Sequence, residues 1–377
     1  MPSISDTLSR LNKMSAMSGQ MGGAIDNDRL TPLSMTGSNP GGLKAYFYAP
    51  DTTATVPLVV VLHGCTQTAA GYDHGSGWSA LAERHGFAVL LPEQQRANNP
   101  NLCFNWFAAA DTRRDDGEVL SIHQMIATMI DRHGVDPARV YVTGLSAGGG
   151  MASAMLATYP EVFAGGAIIA GLPHGAAGSV GQAMERMRGQ GHVGDAAYAD
   201  LVRAASPHDG PWPTVSVWQG GADTTVSPAN ADAIIGQWRL LHGVGPIPDR
   251  EDVVDGHPRR QWLDRQGRAV IEDHRIAGMG HGTPLDTRGD AGVGVAGAYM
   301  LDVGTSSTRH IAASWGLLDR VAEAAPMPGA AKPAAPATPA PTISPNLQRM
   351  PDTPVTPKPE GVQAVIEAAL RSAGLMK

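Results

Sequence analysis

The sequence predicts an α/β protein built around a doubly wound, mostly parallel sheet. Strand-like and helix-like segments alternate between about residues 40 and 320, and strands separated by helices are joined by parallel crossovers. The central strand-like runs are continuously apolar and β-branched rather than alternating, as strands buried on both faces must be. Glycine-rich turns follow several of these runs, where a parallel sheet presents its loops.

Residues 1–37, rich in Met, Ser and Gly, read as a loosely ordered leader with one short amphipathic helix near Leu8 to Met21. Residues 38–325 form the predicted domain. Within it, Leu43 to Tyr48 alternates like an edge strand, and Pro57 to His63 reads as a central buried strand. A helix around Trp78 to His85, a strand at Phe87 to Leu91, a long polar loop from Asn98 to Arg114 and a helix from about Gly117 to His133 come next. The run Arg139 to Thr143 is a short buried strand, and Ala147 to Leu156 is the helix after it. Further strands are expected at Phe163 to Ala170, Pro213 to Gln219 and Val270 to Ile276, with helices near Ala229 to His242 and Arg309 to Glu323. Residues from about 173 to 210 break the rhythm with glycine turns and an amphipathic piece at Val180 to Met187, and read as a small lid. The Pro/Ala-rich stretch 326–360 is too poor in large apolar residues for a core and reads as a linker. Residues 361–377 follow as a short helix, with Val362, Val365, Ile366, Ala369 and Leu370 on one face.

Composition narrows the function classes. A net charge of −7 with interspersed signs gives no basic stripe for nucleic-acid phosphates. No apolar run is long enough to span a membrane, and no signal peptide is recognisable, so the sequence alone reads as cytoplasmic. The two cysteines, Cys65 and Cys103, lack metal-site spacing. Either one bridge between them or two buried thiols fits the sequence. With neither a Gly-Lys-Ser/Thr ending nor a Gly-x-Gly-x-x-Gly fingerprint, no phosphate cradle is expected, and neither a metal nor a cofactor is assigned.

Gly144-Leu145-Ser146-Ala147-Gly148 places a serine on a sharp turn between strand and helix, with small neighbours that let the two approach. That is the pattern of a nucleophile for acyl transfer. A serine hydroxyl is weakly nucleophilic at neutral pH and needs a base, and the base needs an orienting acid. Asp223 lies past a strand and a Gly220-Gly221 turn, the expected place for the acid; Asp232, in the following helix, is expected to face solvent. His281, in Gly278-Met279-Gly280-His281-Gly282 after the last strand, fits the base better than His257, His274 or His310. An oxyanion needs two backbone donors. Ala147 N–H supplies one, and Cys65 N–H, in the loop after the early central strand, is the candidate for the other. The aromatic loop Asn101 to Phe107 is either an apolar binding surface or local core. In the first case Trp106 and Asn105 are its substrate-binding residues.

Taken together, Leu62 to Gln67, Cys103 to Phe107, Gly144 to Gly149 and the loop Gly220 to Val226 make the chain resemble the polyhydroxybutyrate depolymerase family of esterases, over roughly residues 40–320. It is similar, more distantly, to feruloyl and acetylxylan esterases. The resemblance implies an α/β-hydrolase fold, a triad of Ser146, Asp223 and His281, Cys65 at the oxyanion hole and an ester or polyester substrate. Many family members carry a signal peptide and a separate polymer-binding domain, neither recognisable here, which points to short oligomers or small esters; the resemblance offers an extracellular setting as the alternative. A feruloyl or acetyl esterase and a non-catalytic binding scaffold are the competing expectations. The oligomeric state is not legible.

Overall fold

A computed structural model describes residues 28–289 and 292–318. The leader up to residue 27, the linker, the C-terminal helix and the end of the helix expected at Arg309 to Glu323 lie outside the described residues. In chain order the first half comprises β1 (Thr31–Pro32), β2 (Lys44–Tyr48), β3 (Val56–Leu62), α1 (Ala69–Ser76), α2 (Trp78–His85), β4 (Ala88–Glu93), α3 (Ala109–Thr112), α4 (Gly117–Arg132), β5 (Val135–Leu145) and α5 (Ala147–Thr158). Then follow β6 (Gly165–Ile169), α6 (Val180–Met187), α7 (Asp195–Ala205), β7 (Thr214–Gly220), α8 (Ala229–His242), β8 (Arg250–Val254), β9 (His257–Leu263) and β10 (Ala269–Ile276). The last described elements are β11 (Thr283–Leu285), β12 (Met300–Asp302) and α9 (Ser307–Ser314).

Ten strands form one sheet in the order β1-β2-β4-β3-β5-β6-β7-β10-β9-β8. Its centre, from β4 to β10, is parallel, and both flanks are antiparallel. The period-2 geometry of strands sorts their side chains between two cores. Leu58, Val60 and Leu62 of β3 join Val119, Ile122, Met125 and Met129 of α4 and Met151 and Met155 of α5 on one face. Val59 and Val61 join Trp78 and Leu81 of α2 and Ile311 of α9 on the other. Helices on both faces make the sheet doubly wound, with the C-terminal ends of its parallel strands along one edge, where α/β proteins bind ligands.

Several elements depart from the sequence reading. The strand Lys44–Tyr48 is not outermost, because Thr31–Pro32 pairs beyond it. The hairpin β8–β9 was not expected, since its charged, half-exposed residues carry no apolar pattern. Its turn does carry a signal: Asp255 and Gly256 both adopt positive φ, 52° and 82°, as the Asp-Gly of a tight hairpin turn requires. Helices α1 and α7 were also missed. The segment read as a lid divides in two. Helix α6 is tied through its Met187 and Arg186 carbonyls, which accept from the Ser227 amide at 2.7 Å and Asn230 Nδ2 at 2.8 Å, and α7 is bound more deeply to the scaffold. Val202 sits in the main core, Arg239 pairs with Asp195 at 2.9 Å, and Gln237 Nε2 donates to the Tyr198 carbonyl at 2.9 Å. No helix among the described residues is long and apolar enough to cross a membrane.

Candidate active site

Strand β5 ends at Leu145 and α5 begins at Ala147, so Ser146 alone makes the turn, at φ 57° and ψ −116°. A positive φ is unfavourable for a residue with a Cβ and persists only where surrounding structure enforces it. Here the Ser146 amide donates to the Ile169 carbonyl at 2.9 Å, tying the turn to β6. A Cβ at Gly144 would lie 2.3 Å from the Gly148 carbonyl oxygen, and one at Gly148 would lie 2.3 Å from the Leu62 oxygen. Both positions therefore need glycine for strand, helix and the loop after β3 to meet. Ser146 is 9% exposed, sheltered yet open to a small approaching group.

Two strands along the sheet, β7 ends at Gly220 and its loop carries Asp223. Backbone amides of Thr225 and Val226 donate to Asp223 Oδ1 at 2.8 and 2.9 Å, an Asx-type turn that fixes the carboxylate. The other oxygen, Oδ2, accepts from His281 Nδ1 at 2.8 Å. This contact assigns the proton to Nδ1 and leaves Nε2 as the basic nitrogen. The loop carrying His281 follows β10 and lies directly on the Asp223 loop, where the Ala222 amide donates to the Met279 carbonyl at 2.9 Å. Asp223 and His281 side chains are 0% and 6% exposed, so their hydrogen bond is shielded from water. Ser146 stands at the same edge, though among the described residues it makes no direct hydrogen bond to His281. Such contacts often tighten only when substrate binds.

The rival residues are engaged elsewhere. His274 stacks on Trp218 with ring centres 3.7 Å apart, His310 pairs with Asp255 at 2.5 Å, and His257 lies in β9 rather than in a loop. Asp232 is 65% exposed, as expected, but also pairs with Arg275 at 2.7 Å.

The loop after β3 runs beside the elbow because Leu62 is in register with Gly144. Amides of Gly64, Thr66 and Gln67 bond to Gln67 Oε1, Asn101 O and Gly64 O. The Cys65 amide has no acceptor among the described residues, and the Ala147 amide, first in its helix, lacks an intrahelical one. The loop is held by His63, the end of the early central strand and the start of the candidate oxyanion loop, to which the sequence assigns no role of its own. The Gln94 amide donates to His63 Nε2 at 3.1 Å, so Nδ1 donates to the Gly64 carbonyl at 2.8 Å. Burial pushes this imidazole down to about 4, keeping it neutral in that double role.

Cys65 and Cys103 are joined by a disulfide, which fastens the aromatic loop beside the loop after β3. The aromatic residues then divide. Phe104 is fully buried in the main core, while Trp106 packs with Ala147, Leu172, Ala183 and Val226 in a separate apolar cluster around the elbow. A Cβ at Gly150 would fall 2.8 Å from the Trp106 ring, so glycine there lets the indole lie against α5. Asn105 is placed differently from its expected role. Its side chain donates to Glu118 Oε1 at 2.8 Å and accepts from Asn99 Nδ2 at 3.0 Å, so its polar atoms brace the loop. Glu118 is buried and near Asp111, which together push its carboxyl up to about 8; nothing in its sequence context marks it.

Comparison with known proteins agrees with this architecture. The family model for Esterase PHB depolymerase matches residues 43–249, a span that includes Cys65, Trp106, Ser146 and Asp223. Poly(3-hydroxyalkanoate) depolymerase C of Paucimonas lemoignei is 47% identical over 292 residues, covering 77% of this chain and 70% of that protein. Feruloyl esterase B of Talaromyces stipitatus is 30% identical over 267 residues, 68% of this chain and 73% of the relative. Among solved structures, the acetyl xylan esterase from Aspergillus awamori superposes with a TM-score of 0.65 at 24% identity, over 76% of this chain and 99% of that one. The fold is thus that of the α/β-hydrolase esterases, and by its match to the family model and to the depolymerase the chain belongs to the Esterase PHB depolymerase family as a carboxylic ester hydrolase.

Proposed function

We propose that the protein hydrolyses polyesters of the poly(3-hydroxybutyrate) type, or their oligomers, with Ser146, His281 and Asp223 as a catalytic triad. The observation that carries the triad reading is the shielded 2.8 Å contact between His281 Nδ1 and Asp223 Oδ2 at the sheet edge that also presents Ser146. Ser146 Oγ attacks the ester carbonyl while His281 Nε2 takes its proton; His281 then returns that proton to the departing alcohol. Water, deprotonated by the same nitrogen, attacks the acyl-enzyme and releases the acid. Asp223 holds the imidazole in its working tautomer and offsets the charge it gains. The amides of Ala147 and Cys65 stabilise the oxyanion, and Trp106 contacts the acyl chain.

The polyester reading rests on the identity to the Paucimonas lemoignei depolymerase, and the identity to feruloyl esterase B favours a carbohydrate-linked ester as the second reading. Incubation with polymer film, 3-hydroxybutyrate oligomers, feruloylated and acetylated xylan separates the two by which acid is released. Ser146→Ala should lower hydrolysis of a p-nitrophenyl ester by about 10⁴-fold or more with the fold intact, and unchanged turnover would overturn the triad assignment.

A further inference from the structure

Gln219 lies at the end of β7 and is 1% exposed. Its Nε2 faces three acceptors: Asp223 Oδ2 at 3.1 Å, the Val226 carbonyl at 3.1 Å and the Gly220 carbonyl at 3.4 Å. Turning the amide over would bring Oε1 against three oxygens that have no proton to give, so this side chain can only donate here. Its Oε1 is meanwhile buried without a partner. Buried polar atoms are normally satisfied, and an amide held with its acceptor unpaired is held by its donor side.

We infer that Gln219 is a positioning residue for the ester hydrolysis, orienting Asp223 Oδ2 toward His281 and sharing that oxygen's charge. The inference rests on the triad reading. With Thr225 and Val226 amides on Oδ1, and Gln219 and His281 on Oδ2, each carboxylate oxygen has two donors and the group cannot rotate without losing one. The hold on the Val226 carbonyl closes the loop from β7 onto itself, so the Asp223 loop and its carboxylate are set by the same amide. A donor on Oδ2 also draws off negative charge that would otherwise act on the imidazole.

The test compares Gln219→Met, which keeps length without a donor, with Gln219→Leu, a second apolar replacement without a donor. Both are assayed for p-nitrophenyl ester hydrolysis across pH beside Ser146→Ala. Gln219→Met should lower kcat about tenfold or more with KM within about twofold. It should also move the acid limb of kcat/KM to higher pH, because a carboxylate relieved of one donor holds the imidazolium more firmly. Gln219→Leu should move the limb in the same direction. A structural role alone would reduce the yield of folded protein without moving the limb. Folded Gln219→Met with kcat within about twofold of the parent and an unmoved limb overturns the inference; if that variant does not fold, an unmoved limb in Gln219→Leu does so. Retained activity in Ser146→Ala would instead overturn the triad reading beneath it.

Discussion

The turns that carry Ser146, Asp223 and His281 were legible because each follows the end of a strand and is marked by glycine, and glycine at such places reports close backbone approach. Gln219 and Glu118 were not legible. One reads as an ordinary strand residue and the other as a first-turn helix acid; Gln219 finds its partners only because the loop after β7 turns back over it, and those of Glu118 come from the end of β4 and the aromatic loop. Asn105 shows the converse: its place in the aromatic loop suggests substrate, yet Glu118 and Asn99 take up its hydrogen bonds. Trp106, 8% exposed beside the elbow, keeps the binding role in the proposed function. Trp106→Leu preserves an apolar wall but removes the indole's contact area. It should cut kcat/KM for 3-hydroxybutyrate oligomers about tenfold, equivalent to about 1.4 kcal/mol, with a smaller change for p-nitrophenyl acetate, whose acyl group is too short to reach it. Equal losses on both substrates would place the effect on the elbow instead.

Among the elements, the loop between β4 and α4 depends most on contacts that local sequence does not announce. It is anchored by Glu118 below, by Phe104 in the core and by the disulfide to Cys65 across a separation of 38 residues. A bridge closing a loop of that size stabilises by about 2–4 kcal/mol, chiefly by restricting the unfolded chain. Cys103→Ser, which leaves the Cys65 amide in place, should therefore lower the unfolding free energy in urea by about that amount. If Cys65 N–H serves the oxyanion, kcat should fall as well, and treatment of the parent with reductant should reproduce both changes. The hairpin β8–β9 makes a related point, since its apolar content is low and pairing with β10 organises it.

The whole molecule's response to pH follows from its buried titratable groups. His63, His174 and His242 are each pushed down to about 4 by burial, so the native state keeps them neutral while the unfolded chain protonates near 6.5. Unfolding then takes up protons, and stability is lost as pH falls from 6.5 toward 4. Glu118 acts with the opposite sign. Its carboxyl titrates near 4.5 when unfolded and about 8 when folded, so stability declines as pH rises between these values. Three histidines outweigh one glutamate below 6.5, with His123 and His274, also lowered by burial, acting in the same direction, and above it the decline from Glu118 takes over, which places maximal stability near pH 6.5. Urea unfolding midpoints measured from acid to alkaline pH should peak there, and Glu118→Gln should flatten the decline toward 8; a midpoint still rising through that interval contradicts the balance. Periodicity and turn chemistry, both local properties of the chain, were enough to indicate the doubly wound sheet and the strand-end turns that carry Ser146, Asp223 and His281. Pairing of Cys65 with Cys103, the bracing by His63, Gln219 and Glu118, and the anchoring of α7 required the folded chain. Most depend on a donor and an acceptor, or two sulfurs, brought together from distant segments, and even the near partners of Gln219 reach it only through the turn of the loop after β7; whether a buried polar group has a partner is decided only when the backbone around it has closed.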